Sequence, residues 1–277
     1  MHRNTLDQQG LLNLCPRSSS LKSPMPLSWS HGQLFIDVGA HDGEDALAFA
    51  SMGHHVLSFE PAPQKLEHIR QRIRSSQHGE KVRLIHAALS DHVGNASFRV
   101  NGEGSYQDTL ARDVFGTMKR VKVPMTTLDE VVGPSRRVAF LKVDAQGYDA
   151  EVLRGAKRLL EEQRVDVLTF EVSPKLSVAD DGAGAYAGVV EWLRNTCSYT
   201  CWDCPNCYPN GPSGVCHGQP LVPLAQDGAA HSRFSTLASY SFKYRGVEHG
   251  WWTDVVCMRS ALVHAAGGKG GFRGSKP

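Results

Sequence analysis

Leu34-Phe35-Ile36-Asp37-Val38 is a short, largely apolar run bounded by Gly32 and Gly39, the pattern of a strand covered on both faces. Asp42 can cap a following helix through Met52 that turns Ala46, Leu47, Phe49 and Ala50 inward and ends at Gly53. His55 to Glu60 then reads as a second strand, stopped by Pro61. Pro63 suits a first helical turn, and Leu66, Ile69 and Ile73 recur behind it at helical spacing, with Lys65, Arg70 and Arg72 left for solvent. Val82 to Ala88 predicts a third strand, and Ala96 to Val100 and Val121 to Met125 predict two short ones around a polar loop. Thr127 and Glu130 form a capping box ahead of a short helix closed by Gly133-Pro134.

Val138 to Val143 predicts the fourth main strand, followed by a helix with Val152, Leu153, Ala156, Leu159 and Leu160 on one face, and Val165 to Val172 predicts the fifth. Glu191-Trp192-Leu193 belongs to a further helix, and Asp254 to Met258 reads as a late edge strand. Strands alternating with amphipathic helices specify an α/β fold, a mostly parallel central sheet with helices on both faces. Such sheets bind ligands at the carboxyl ends of their strands. Residues 1–30, with Pro16, Pro24, Pro26 and three consecutive serines, carry neither period and read as a flexible arm; 31–262 is the folded domain, and the Gly- and Lys-rich 263–277 is expected to be a disordered tail.

Composition narrows the function. Thirty Lys and Arg against 28 Asp and Glu leave a net charge of +2, too small to draw nucleic acid by bulk electrostatics. No apolar stretch approaches the roughly 18 residues of a membrane span, and no secretory signal is visible, so the default compartment is cytoplasmic. The seven cysteines are clustered: five, from Cys197 to Cys216, crowd one stretch, while Cys15 and Cys257 stand apart. That stretch marks a Cys-rich insert at about 197–234, able to hold disulfides (Cys207 with Cys216, for example), a zinc ion or free thiols. Disulfides would require an oxidising compartment, where Asn95-Ala96-Ser97 would be a glycosylation sequon.

The chemistry concentrates in Asp37-Val38-Gly39-Ala40-His41-Asp42-Gly43, an acid at the end of the first strand and two glycines in the turn after it. A dinucleotide site expects Gly-x-Gly-x-x-Gly so that pyrophosphate can approach a helix amino terminus, and histidine stands at position 41. Asp37 would repel pyrophosphate and attract the ammonium and sulfonium of S-adenosylmethionine. Gly39 and Ala40 would pass close to the methionine part, Gly43 would let the helix start tightly, and Glu60 beside Pro61 is placed for ribose hydroxyls. Ala88 and Asp91, in the turn after the third strand, are expected to border the adenine.

Four blocks resemble the FkbM family of S-adenosylmethionine-dependent methyltransferases: Phe35 to Ala40 with Gly43, Ser58 to Pro61, Thr126 to Asp129, and Phe140 to Asp149 with Glu151 to Ala156. The likeness runs from about His31 to Pro174, and implies a Rossmann-like class I methyltransferase fold that transfers a methyl group, usually to a hydroxyl oxygen. The family often carries Glu where this chain has Gln146, which is therefore kept out of the catalytic set, and Asp149 is either a variant or a displaced function.

Asp144 and Glu171, at the ends of the fourth and fifth strands, are the candidate catalytic acids, either of which could be the general base. Paired acids could also hold Mg²⁺, but no metal is predicted. The expected acceptor is a small molecule or a glycan, with no nucleic acid and no membrane insertion. Two other readings stay open: a catalytically silent cofactor- or metal-binding module, and an NAD-dependent oxidoreductase.

Overall fold

In the computed structural model, residues 30–100, 109–110, 119–204, 222–244 and 247–267 are described. The five predicted main strands form β1 (Leu34–Val38), β2 (His55–Phe59), β3 (Val82–Ile85), β7 (Val138–Val143) and β8 (Val165–Val172), all mutually parallel. Three more strands extend the sheet, β9 (Tyr199–Cys204), β10 (Val222–Pro223) and β13 (Thr253–Arg259), giving the order β10-β9-β13-β8-β7-β1-β2-β3. From β1 the chain builds outward through β2 to β3, then returns to lay β7 on the other side of β1. That reversal opens a crevice at the carboxyl ends of β1 and β7, where open α/β sheets bind ligands.

Strand alternation divides the core. Phe35, Phe140, Val167, Trp202, Val256 and Met258 pack on one face with Ala46, Phe49 and Ala50 of α1 (Glu44–Ser51). Ile36, Val38, Leu141, Val143, Leu168 and Phe170 face the other side. That side is covered by α4 (Asp149–Arg154), α5 (Lys157–Glu161), α6 (Gly182–Asn195) and α7 (Ala229–Ala238). Both faces are dry, which is why the parallel strands read as continuous apolar runs. Beside β2, α2 (Pro63–Ser75) buries Leu66 and Ile69, and also Lys65, which the pattern had assigned to solvent.

A second sheet, in the order β4-β6-β5, contains β4 (Ala88–Leu89), β5 (Gly94–Val100) and β6 (Lys119–Thr126) around Phe98, Val100, Val123 and Met125. The predicted third strand therefore ends early: the chain leaves the main sheet after Ile85 and joins this smaller one at Ala88. Thr127 caps α3 (Leu128–Val132) by accepting from the Glu130 amide at 3.1 Å, as the capping box predicts. A hairpin of β11 (Ser241–Tyr244) and β12 (Val247–Gly250) precedes β13, and α8 (Ser260–Gly267) follows it.

Three expectations are corrected. The single helix expected after β7 is broken into α4 and α5 at Gly155, where a Cβ would lie 1.8 Å from the Ser90 carbonyl oxygen. The chain passes too close there for any side chain. Asp254 to Met258 is no edge strand: β13 lies inside the sheet, antiparallel to both β8 and β9. Its apolar run fits that burial better than an exposed edge. The cysteine-rich stretch also begins within the main sheet, since Tyr199 to Cys204 is β9, so an insert cannot start at Cys197.

Cys201 and Cys257 stand opposite each other in the β9 and β13 register and are disulfide-bonded, which removes Cys201 from any zinc site. Among the described residues no His, Cys, Asp and Glu cluster could hold a metal ion. Cys207 and Cys216 lie outside the described residues. Among the described residues no helix is long and apolar enough to cross a membrane.

Candidate active site

The turn after β1 runs against the end of β7. Gly39 has φ 84°, and a Cβ on it would sit 2.1 Å from the Asp144 carbonyl oxygen, so only glycine lets the two strand ends meet. The amides of Gly39 and Ala40 both donate to the Phe59 carbonyl, at 3.1 and 2.9 Å, and tie the turn to β2. Gly43, also at positive φ, starts α1 with Ile69 of α2 only 3.0 Å from where its Cβ would be. The predicted tight helix start is thus built by Gly43, while Asp42 accepts from the Glu44 amide at 3.1 Å.

Glu60 closes the same corner from β2. Its Oε2 accepts from the His41 amide at 2.8 Å and its Oε1 from the Ala62 amide at 2.8 Å, which fixes the plane of the carboxylate next to the turn. Pro61 holds the chain beyond it, its carbonyl 3.2 Å from His86 Nε2. His41 takes a left-handed backbone (φ 53°) to present its amide to Glu60, and so serves the turn through its main chain.

Asp37 stands differently from its expected role. It is fully buried, its Oδ2 accepting from Ser58 Oγ at 2.9 Å and its Oδ1 lying 3.3 Å from Lys142 Nζ. The physical reason is position: Asp37 lies two residues before the turn, inside the sheet, where its side chain shares a face with Lys142 of β7. The cation that Asp37 meets in the structure is Lys142. Burial raises the Asp37 carboxyl above its ordinary range, an effect Lys142 opposes and Asp45 reinforces. Burial alone would disfavour the Lys142 ammonium, but Asp37, Asp45 and Asp144 together raise it above the usual lysine range.

Lys142 Nζ is 3.1 Å from Asp45 and 3.9 Å from Asp144, whose side chains are each about one third exposed (32% and 31%). One ammonium thus faces three carboxylates, and two of them reach the crevice. Asp45 and Asp144 keep part of their carboxylate surface open, with Asp37 anchoring the lysine behind them. Asp45 was missed by the sequence reading, although an acid in the first turn of the helix after a Gly-rich turn was a usable signal.

The two predicted catalytic acids come together. Gln146, itself left-handed at φ 51°, places Nε2 at 2.6 Å from Asp144 Oδ1 and 3.5 Å from Glu171 Oε2. Ser173 Oγ donates to Glu171 Oε1, and Glu171 is buried. The carboxyl of Asp149 accepts from the Ala145 amide at 3.1 Å and the Gly147 amide at 3.2 Å, locking the turn that carries Gln146. Burial, then the charge of Asp144, push the Asp149 carboxyl up to about 7. Asp149 is a holder of the turn, which answers the question its position raised. Thr109 clamps the turn from above, donating from Oγ1 to the Gln146 carbonyl at 2.8 Å. Gln146, Ser173 and Thr109 lie outside the sequence-predicted set.

Of the two residues expected to border the adenine, Ala88 is buried in the core of the small sheet, and the Asp91 carboxylate is held by His92 Nδ1 at 2.6 Å and Ser90 Oγ at 3.0 Å. A surface cavity of about 370 Å³ lies among Arg154, Lys157, Gly184, Val189 and Trp192 on the helix layer, and no predicted site residue lines it.

The mostly parallel sheet in this strand order, with antiparallel β13 set inside it and Asp42, Glu60, Asp144 and Glu171 near the carboxyl ends of β1, β2, β7 and β8, is a Rossmann-like class I methyltransferase fold. The chain belongs to the methyltransferase FkbM domain family, whose model matches residues 37–199. Among solved structures it is similar to a methyltransferase FkbM from Methylobacillus flagellatus (16% identity, 69% of this chain and 43% of that one, TM-score 0.45). It is also similar to a precorrin-6y C5,15-methyltransferase from Geobacter metallireducens (12% identity, 84% and 83% covered, TM-score 0.39). A third likeness is to a Streptococcus mutans protein solved in complex with SAH (12% identity, 83% and 90% covered, TM-score 0.41). The chain thus spans less than half the length of the FkbM structure it matches. No curated protein matches it in sequence.

Proposed function

We propose that this methyltransferase uses S-adenosylmethionine and methylates a hydroxyl oxygen of a small molecule or glycan. The observation that carries the reading is the bridge from Gln146 to both Asp144 and Glu171 beside the Gly39 turn. It joins two acids from neighbouring strand ends at the place where cofactor and acceptor must meet.

The residues present fit the cofactor. A Cβ at Gly39 would fill the close approach of the turn, and Ala40 and Gly43 continue a main-chain surface suited to the methionine part. Glu60, its plane fixed by two backbone amides, suits a pair of ribose hydroxyls, since a carboxylate offers about four acceptor directions. Asp45 and Asp144, only partly neutralised by Lys142, suit an ammonium and a sulfonium. When bound, the cofactor would supply an electrophilic methyl carbon. Glu171 would take the proton of the acceptor hydroxyl, Ser173 and Gln146 fix its carboxylate, and Asp144 would orient the acceptor.

Calorimetric titration with S-adenosylhomocysteine tests the cofactor half. Glu60→Ala should weaken binding roughly 10- to 150-fold, the loss of charged hydrogen bonds worth about 1.5–3 kcal/mol, while Asp91→Ala leaves it unchanged. Incubation with radiolabelled S-adenosylmethionine and fractionated metabolites and glycans tests the transfer half. Tight binding with no labelled product in any fraction would favour a silent cofactor-binding module, and no binding at all would defeat the assignment.

A further inference from the structure

The Cys201 and Cys257 bond joins two interior strands of the main sheet. Both sulfurs belong to buried residues, exposed by 1% and 0%, and they are brought together by the β9 and β13 register. The bond links positions separated by 56 in sequence, and Cys204 is disulfide-bonded as well. A chain that closes its central sheet with sulfur bonds is suited to an oxidising compartment, because reducing compartments keep such thiols apart. Both bonded positions lie beyond the residues matched by the family model, in the carboxyl-terminal part of the chain.

In such a compartment Asn95-Ala96-Ser97 acquires meaning, and the fold presents it. Along β5, Ala96, Phe98 and Val100 turn toward the small-sheet core, so the alternation sends Asn95 and Ser97 together to the opposite face. Asn95 and Ser97 are exposed. Among the described residues β5 ends its three-stranded sheet, bridged to Thr109 at Arg99 and paired along its length with β6, where Pro124 stands opposite Asn95 and Lys122 opposite Ser97. The residue between acceptor and hydroxyl is alanine, so the motif is the permitted one. A large substituent on the Asn95 amide would extend outward without entering the core.

We propose that Asn95 is an N-glycosylation site, and that the protein matures in an oxidising compartment. The Asn95 amide nitrogen attacks the anomeric carbon of a lipid-linked diphosphate oligosaccharide. The nitrogen–carbon bond forms, the carbon–oxygen bond to the diphosphate breaks, the lipid diphosphate leaves with its electron pair, and the amide gives up one proton.

The test uses the intact protein purified from the cells that naturally make it. Thiols are alkylated before any reduction, the protein is digested, and half of the digest is treated with peptide N-glycosidase in ¹⁸O-water. The expected result is a linked Cys201–Cys257 peptide pair together with conversion of Asn95 to ¹⁸O-labelled aspartate only in the treated half. Alkylated Cys201 and Cys257 without prior reduction would overturn the compartment and the proposal with it. A linked pair alongside an unmodified Asn95 peptide would overturn the modification site. An Asn95→Gln variant expressed in the same cells should lose the glycan mass and still bind S-adenosylhomocysteine, which separates this proposal from the methyl-transfer reading.

Discussion

Lys142 of β7 reaches Asp37 of β1 at 3.3 Å, a pair with side chains 6% and 0% exposed. Removing Lys142 leaves the Asp37 carboxyl buried without its cation, which costs about 3–5 kcal/mol. Lys142→Met should therefore lower the unfolding free energy by about that amount, and Asp37→Ala by less, because Lys142 keeps Asp45 and Asp144 and the main loss is the stranded Ser58 hydroxyl. Denaturant unfolding measures both. If Asp37→Ala left stability intact and abolished S-adenosylhomocysteine binding, Asp37 would be a direct ligand and its anchoring role would be wrong.

Glu171 should separate chemistry from binding. Glu171→Gln preserves the size of the group and its contact with Ser173 but cannot take a proton, so the rate of methyl transfer should drop about 10²- to 10⁴-fold. Calorimetry should find the S-adenosylhomocysteine affinity unchanged within error. A variant that keeps full turnover would leave Asp144 as the base. A fall in affinity equal to the fall in rate would place Glu171 on the cofactor instead.

The strands were readable because both sheet faces are covered, and a strand buried on both sides writes itself as an apolar run: Val165 to Val172 was found residue for residue. Glu60, Asp144 and Glu171 were readable as site candidates because they stand at strand ends, where topology puts ligands. What the pattern hid was contact between distant elements. Gly155 breaks a helix because Ser90, far away in sequence, passes over it. Asp37 looks like a ligand group in a linear motif, and only the parallel register with β7 reveals the lysine that occupies it. Gln146 was set aside on family grounds, yet its left-handed backbone throws its amide between two carboxylates, a geometry no spacing rule encodes.

Asp149 should carry a distinct pH dependence. Its folded carboxyl titrates at about 7 against an ordinary value of 3.8, so the folded state holds a proton that the unfolded chain has lost between those values. The sign follows from linkage: the contribution is fully present below about pH 4 and declines as pH rises through about 7. The stability of wild type relative to Asp149→Asn should therefore fall as pH rises over that window, read by urea denaturation at several pH values. A carbon-detected titration of the Asp149 carboxyl should show its inflection near 7. An inflection near 4 would mean that the two backbone amides outweigh burial in this turn.

The bond between Cys201 and Cys257 closes a loop with a sequence separation of 56. Chain-entropy arguments assign such a loop about 4 kcal/mol of stabilisation, mostly by restricting the unfolded chain. The double variant Cys201→Ala, Cys257→Ala should be less stable by about that much, a difference seen in denaturant midpoints at matched slope. Cys197 provides the internal comparison. It is buried and free, and burial pushes its thiol up to about 12, so at neutral pH it is neither a nucleophile nor an exchange partner for the neighbouring bond. Native protein exposed to iodoacetamide at neutral pH should leave Cys197 unmodified, and unfolding should make it react. Rapid native alkylation would show that β9 and the end of α6 open readily, and that the disulfide holds together a sheet looser than its packing implies.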